Sequence, residues 1–268
     1  MPSEFALIAR YFRRPRDAQA AGVVLGVDDD AALLAPTSGM QLAVCTDTLV
    51  AGVHFPVDTP AHDIGWKSLA VNLSDLAAMG AMPRACLLAL TLPVADEAWV
   101  AEFARGFFAL ADTHGCALIG GDPSAGPLSV TVTALGEVPA GSALTRGGAR
   151  AGDLVCISGT PGVAALGLAR WQAGVRADDD VALTSLLRPV PRLALGLALR
   201  GIATACIDVS DGLLGDLAHV LDVSSAATGI PLGATIDISA LPRSPALAAL
   251  PESVAREYLL GGGDDYEL

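Results

Sequence analysis

Four apolar runs dominate the first half of the chain: QLAVCTD (41–47), ACLLALTL (85–92), CALIGGD (116–122) and LSVTVTALGEV (128–138). They are short, rich in Val, Leu and Thr, and bounded by turn residues, which is the pattern of strands. Between them, HDIGWKSLAVNLSDLAAMG (62–80) places Leu69, Leu73, Leu76 and Ala77 on one helical face. DEAWVAEFARGFFALADTHG (96–115) does the same with Val100, Phe103, Phe107 and Leu110. The second stretch opens on acids, which suit the positive end of a helix, and both stop at glycine. This alternation predicts an α/β (α+β) fold. No glycine-rich dinucleotide fingerprint follows a strand, so mixed sheets are expected rather than a doubly wound one.

A turn-rich segment, PAGSALTRGGARAGD (139–153), divides the chain, and a strand, LVCISG (154–159), opens the second half. Helical segments follow near 162–174, 189–200 and 212–222. Two domains are therefore expected, 1–145 and 146–268.

Apolar residues make up 52% of the 268, but no run approaches the roughly 20 that a membrane span requires. The N-terminus, MPSEFALIARYFRRPRD, places its charges after its apolar residues and has no cleavage site of the secretory kind. These features predict a cytoplasmic protein with no membrane partner. A net charge of −13 argues against a nucleic-acid partner, because phosphate backbones are held by clustered Lys and Arg. The single lysine, Lys67, leaves arginines, backbone amides or metal ions to neutralise any bound phosphate. Five cysteines, Cys45, Cys86, Cys116, Cys156 and Cys206, are odd in number and lack a C-x-x-C pair. Reduced, mostly buried thiols are expected.

The acids carry the chemistry. In GVDDDAALL (26–34), Asp28, Asp29 and Asp30 stand side by side between apolar flanks. Like charges held that close require solvent or a cation beside them. Asp30 follows a short apolar run, Asp47 ends LAVCTD, Asp122 ends LIGGD, and Asp208 ends ATACID. Any one of these reads as a cap or turn residue. Four of them, each beside Gly, Ser or Thr, equally fit a site assembled from separate loops on a rigid sheet. On the 62–80 helix, Ser68, Asn72 and Asp75 form a polar stripe that is either a solvated face or a ligand stripe turned toward those acids. Hard oxygen donors without paired His and Cys point to Mg²⁺, and several acids on separate loops to more than one ion with a nucleotide. Yet neither a Walker loop nor the protein-kinase motif set is present.

In order along the chain run GVDDDAALL, CTDTLVAGVHF, KSLAVNLSDLAAMGAMPR, LIGGD, LTRGGARAGD, ISGTPG, IDVSDGLLGDL and GGGDDYEL. Together they closely resemble the thiamine-monophosphate kinase family, of the aminoimidazole ribonucleotide synthetase-like superfamily, over essentially the whole chain. The resemblance implies ATP-dependent phosphorylation of thiamine phosphate to thiamine diphosphate in a Mg²⁺-dependent homodimer. It further implies a two-domain synthetase-like fold, with an N-terminal α/β domain that pairs in the dimer and a C-terminal α+β domain. Metal ligands would be Asp30, Thr46, Asp47, Asp75, Asp122, Asp208 and Asp211, with Asp47, Asp75 and Asp122 central to catalysis. Gly121, Asp122, Arg146 and Ser210 would contact ATP, and His54 and Asp264 the thiamine phosphate. Against the family pattern, Cys45 replaces Ser or Thr, Asp28 a glycine, Pro123 a Thr, Val163 an Asp, and His114 a tyrosine near the nucleotide, while Asp264 is one methylene shorter than the usual Glu. Family members also continue for some tens of residues beyond the position of Leu268. That leaves a second reading, a Mg-nucleotide-binding protein without turnover.

Overall fold

The computed structural model describes residues 8–27 and 29–268. These form two compact units, one running to Leu76 and resuming over Ala81–Gly141, the other comprising Ala77–Gly80 and Ser142–Leu268.

The first unit is built on a four-stranded sheet. β1 (Val23–Leu25) and β2 (Leu33–Leu34) make a small antiparallel pair beside it. The sheet itself contains β3 (Met40–Val50), β4 (Met82–Leu92), β5 (Ala117–Ala125) and β6 (Ser129–Pro139), in the order β3-β6-β4-β5. It is mixed, because β4 and β5 run parallel while the other pairs are antiparallel. The parallel pair is joined through α2 (Glu97–His114), as a crossover requires. Asp96 caps that helix through the amides of Ala98 (2.9 Å) and Trp99 (3.4 Å), and Gly115 ends it at φ 64°.

α1 (Ala61–Ala78) lies against one sheet face, with Leu76 Cδ2 close to Gly136 of β6. Val130, Val132 and Ala134 on that face are fully buried, as are Leu69 and Leu73 of α1. α2 crosses α1 at two glycines, where side chains would collide. A Cβ at Gly106 would sit 1.8 Å from His62 O, and one at Gly65 would sit 2.1 Å from Phe103 O. Phe103 and Phe107 are completely buried beside this crossing. Each such ring contributes about 2–3 kcal/mol through burial.

The second unit carries α3 (Val163–Gln172), α4 (Val181–Leu187), α5 (Leu193–Leu199), α6 (Leu213–Thr228) and α7 (Glu252–Gly261). α3 and α4 touch at Gly167, where a Cβ would fall 2.1 Å from Ala182 O, and Val163, Leu166, Ala182, Leu247 and Leu259 form a core cluster. The expected strand LVCISG does not form. A strand requires a hydrogen-bonded neighbour, and here Ser158 N bonds Leu268 O while Leu154 and Val155 lie exposed. Among the described residues of this unit the ladder reduces to one bridge, Val209 with Glu267. The expected helix 189–200 begins only at Leu193, since Pro189 and Pro191 precede it.

Candidate active site

Strand alternation sends Thr46 and Asp47 to opposite faces of the sheet. Thr46 and Thr48 face away from α1 and hydrogen-bond Thr133 (3.0 Å) and Thr131 (2.8 Å) on β6. Asp47 shares the α1-facing side with Cys45 and buried Leu49. There the polar stripe of α1 meets β3. Ser68 and Asn72 are buried, Asn72 Nδ2 donates to Ser68 O at 3.1 Å, and Cys45 Sγ lies 3.3 Å from Asn72 O. Farther along the stripe, the side chain of Asp75 hydrogen-bonds that of Asp47. The stripe is thus turned inward, and the solvated-face alternative falls.

Burial raises the Asp47 carboxyl above its ordinary range, against the lowering effects of the Asp75 hydrogen bond and the His54 charge. Burial likewise drives the Cys45 thiol far up, and the Asp75 and Asp47 charges push it further. Cys45 is therefore a protonated thiol beside two acids. His54 sits on the turn after β3, where its Nδ1 accepts from Val50 N at 3.0 Å. In the neutral ring the proton is then on Nε2, free of that bond. The His54 carbonyl accepts from buried Lys67 Nζ at 3.3 Å.

Asp122 lies on β5 opposite Ala89 of β4, exposed, and accepts from Ser124 Oγ at 2.7 Å. Gly121 delivers it there at φ 148°, with no room for a side chain: a Cβ would fall 1.9 Å from Leu88 O. Because β3 and β5 are the two edges of the sheet, the strands that carry Asp47 and Asp122 are three strand spacings apart, about 14 Å. Asp30 lies exposed on the loop after β1, its amide donating to Asp29 Oδ1 at 2.9 Å, while Asp28 falls outside the described residues. Of the expected metal ligands, the structure brings Asp47 and Asp75 into contact. Among the described residues, no three His, Cys, Asp or Glu side chains gather into a metal-binding group.

In the second unit, Asp208 is buried and Asp211 exposed on either side of Ser210. This turn is organised by a residue that sequence reasoning passed over. Asp216 Oδ2 accepts from the amides of Ser210, Asp211 and Gly212, each at 3.1 Å. Its signal in the sequence was an acid in the first turn of α6, four residues after Gly212. The C-terminal GGGDDYEL segment runs beside the turn: Asp264 N donates to Ser210 O and Tyr266 N to Val209 O, both at 2.8 Å. Asp265 accepts from Gly162 N and Ala164 N at the start of α3, and burial pushes its carboxyl up to about 7. Arg146 is exposed, and its carbonyl accepts from Ser224 Oγ at 3.1 Å.

Residues 28–138 match the family described as AIR synthase related protein, N-terminal domain. A thiamine-monophosphate kinase from Escherichia coli is 49% identical over 271 residues, which span 99% of this chain and 81% of that protein. The chain belongs to the thiamine-monophosphate kinase family. The crystal structure of a thiamine-monophosphate kinase from Stenotrophomonas maltophilia aligns at a TM-score of 0.90 and 51% identity, over 99% of this chain and 84% of that one. AaThiL complexed with AMPPCP and TMP aligns at 0.77 and 30%, over 87% and 75%. Two of the departures from the family pattern, Cys45 and His114, lie on or beside the helices of the first unit. Cys45 points its sulfur into α1, and His114 is half-buried at the end of α2, where desolvation lowers its pKa. The fold is thus a mixed α/β one, and no described helix is long and apolar enough to cross a membrane.

Proposed function

We infer that this chain transfers the terminal phosphoryl group of ATP to thiamine phosphate, giving thiamine diphosphate and ADP. The observation that carries this is the 49% identity to a thiamine-monophosphate kinase across 99% of the chain. AaThiL bound to AMPPCP, an ATP analogue, and TMP supports the donor and acceptor assigned. The setting is proposed to be the cytoplasm.

The donor set fits Mg²⁺. It consists of carboxylates and a threonine hydroxyl, and two of the carboxyl groups already touch, Asp47 and Asp75. Asp30, Thr46, Asp47, Asp75 and Asp122 of the first unit, and Asp208 and Asp211 of the second, would hold several ions. When bound, Mg²⁺ offsets the repulsion between two polyanions and stabilises charge on the transferring group.

The chain needs no catalytic base. A phosphate monoester has its second pKa near 6, so the acceptor is largely a dianion at pH 7 and attacks directly. An acceptor oxygen forms the new P–O bond as the bond from the γ-phosphorus to the β–γ bridging oxygen breaks, and ADP leaves with that electron pair. The task of the protein is placement. Gly121 and Asp122, Arg146, and Ser210 on its Asp216-held turn would contact ATP. His54, through Nε2–H, and Asp264 would contact thiamine phosphate.

A homodimer is proposed as well. Both edge strands of the sheet bond a neighbour on one side only, and such edges invite pairing. The sheet face opposite α1 exposes Leu42, Val44 and Leu87 at 43%, 60% and 36%. Pairing β3 of one copy with β5 of another would also bring the strand that carries Asp122 alongside the strand that carries Thr46 and Asp47. Sedimentation of the chain should give a dimer, and a fully active monomer would refute this.

Release of ADP from Mg-ATP, measured with and without thiamine phosphate, tests the main reading. Stimulation by thiamine phosphate is expected. Nucleotide binding without stimulated release would select the non-catalytic alternative.

A further inference from the structure

Arg192 belongs to none of the motifs above and stands immediately before α5. Its guanidinium grips Glu267 as a fork: Nε donates to Oε2 at 2.6 Å, and Nη2 to Oε1. Glu267 is buried, and its Oε2 also accepts from Ser158 Oγ. Ser158 in turn fastens the next residue twice. Its Oγ accepts from Leu268 N at 3.0 Å, and its amide donates to Leu268 O at 2.9 Å.

The segment held in this way is strained. Asp264 and Tyr266 have φ of 65° and 52°, left-handed values that non-glycine residues rarely adopt. Such backbone persists only where its surroundings over-determine it. Tyr266 is the link between anchor and site. It precedes Glu267 directly, and its hydroxyl donates to Asp264 Oδ1 at 3.0 Å, which sets the direction of that carboxylate. Val209 N closes the arrangement by donating to Glu267 O at 2.8 Å.

We propose that Arg192 is a positioning residue for the phosphoryl acceptor: by clamping Glu267 it keeps Tyr266 in its left-handed turn and so places the Asp264 carboxylate against thiamine phosphate. The proposal rests on the assignment of Asp264 as an acceptor contact. A lysine cannot substitute, because a single ammonium cannot make the two parallel bonds of the guanidinium fork. The Ser210 turn also bonds the clamped segment, through Ser210 O and both backbone groups of Val209, but its own amides stay on Asp216, so contacts to ATP should change less than those to thiamine phosphate.

The test compares Arg192→Gln, Arg192→Lys and Glu267→Gln with the wild-type full chain. It measures kcat and KM for each substrate, thermal melting, and amide exchange over residues 261–268. In Arg192→Gln, KM for thiamine phosphate should rise about 10- to 100-fold, the scale set by misplacing a reacting group by about an ångström, while KM for ATP stays within about twofold. The amides of Asp264 and Tyr266 should exchange faster, and Arg192→Lys should not restore KM. If Arg192→Gln fails to fold, the lysine and Glu267→Gln variants carry the same comparison. An unchanged KM for thiamine phosphate, or an equal rise for both substrates, overturns the proposal alone. Absence of thiamine phosphate turnover in the wild-type chain overturns the acceptor assignment and this proposal together.

Discussion

Asp47 and Asp75, one on an edge strand and the other on the helix packed over it, share a hydrogen bond between their carboxyl groups. That contact holds two acids together at a cost in repulsion or in an extra proton. Replacing Asp75 with Asn keeps its volume and leaves a hydrogen-bond donor while removing one charge. Stability should be unchanged or slightly higher, within about 1 kcal/mol, because the repulsion is relieved. Turnover should fall by about a hundredfold or more, as loss of one electrostatic contribution to transition-state stabilisation typically does. A melting curve and a coupled ADP assay on the same preparation check both, and full activity would remove Asp75 from the site.

Gly121→Ala tests the backbone instead of a charge. The added Cβ would meet Leu88 O at 1.9 Å, at a φ of 148° that only glycine adopts readily. Residue 121 must rotate, and Asp122 beside it must move. A loss of about 1–3 kcal/mol in denaturant unfolding is expected, with a larger proportional loss in turnover. A variant as stable and active as the parent would show that the β4–β5 edge adapts and that the placement of Asp122 is loose.

Asp216 never meets substrate in this scheme, yet one of its oxygens satisfies three amides. Asp216→Ala would leave them without that acceptor, and the amide of Gly212 belongs to a buried residue. Losing such an acceptor costs about 1–3 kcal/mol. Affinity for ATP should weaken, because Ser210 is expected to contact it, and Asp216→Asn should recover part of both losses. Isothermal titration with a non-hydrolysable ATP analogue measures the binding arm. Unaltered affinity in Asp216→Ala would dissociate the turn from the nucleotide.

What the sequence made legible depended on how local its cause was. The four strands of the main sheet and helices α1 and α2 follow from apolar runs, apolar spacing and caps, all visible in a few residues. Asp75 was legible for the same reason, as part of a stripe on a helix otherwise poor in charge. The separation of Asp47 from Asp122 was not, because strand order is set by how β6 inserts between β3 and β4. LVCISG reads as a strand by composition, and its failure to pair depends on neighbours far along the chain. α4 went unread because its seven residues, VALTSLL, are too few to show a helical period, and α7 because ESVAREYLLG, though amphipathic, is short and polar-rich and carries few apolar residues. The clamp of Arg192 on Glu267 joins residues 75 apart, a distance no motif spans.

Asp265 predicts a pH dependence with a definite sign. Its carboxyl is raised to about 7, first by burial and then by the Glu267 and Asp264 charges, while the Gly162 and Ala164 amides oppose the rise. In the unfolded chain it titrates near 4. Between these values the folded state binds the proton and the unfolded state does not, so stability falls as pH rises through the window. An asparagine can still accept from the α3 amides but does not titrate. The stability of wild type relative to Asp265→Asn should therefore be greatest near pH 4, decline up to about pH 7, and level off above it. Unfolding both proteins in urea at a series of pH values measures that difference directly. A difference that stays flat across the window would mean that Asp265 is ionised throughout, held as a carboxylate by its two amide bonds.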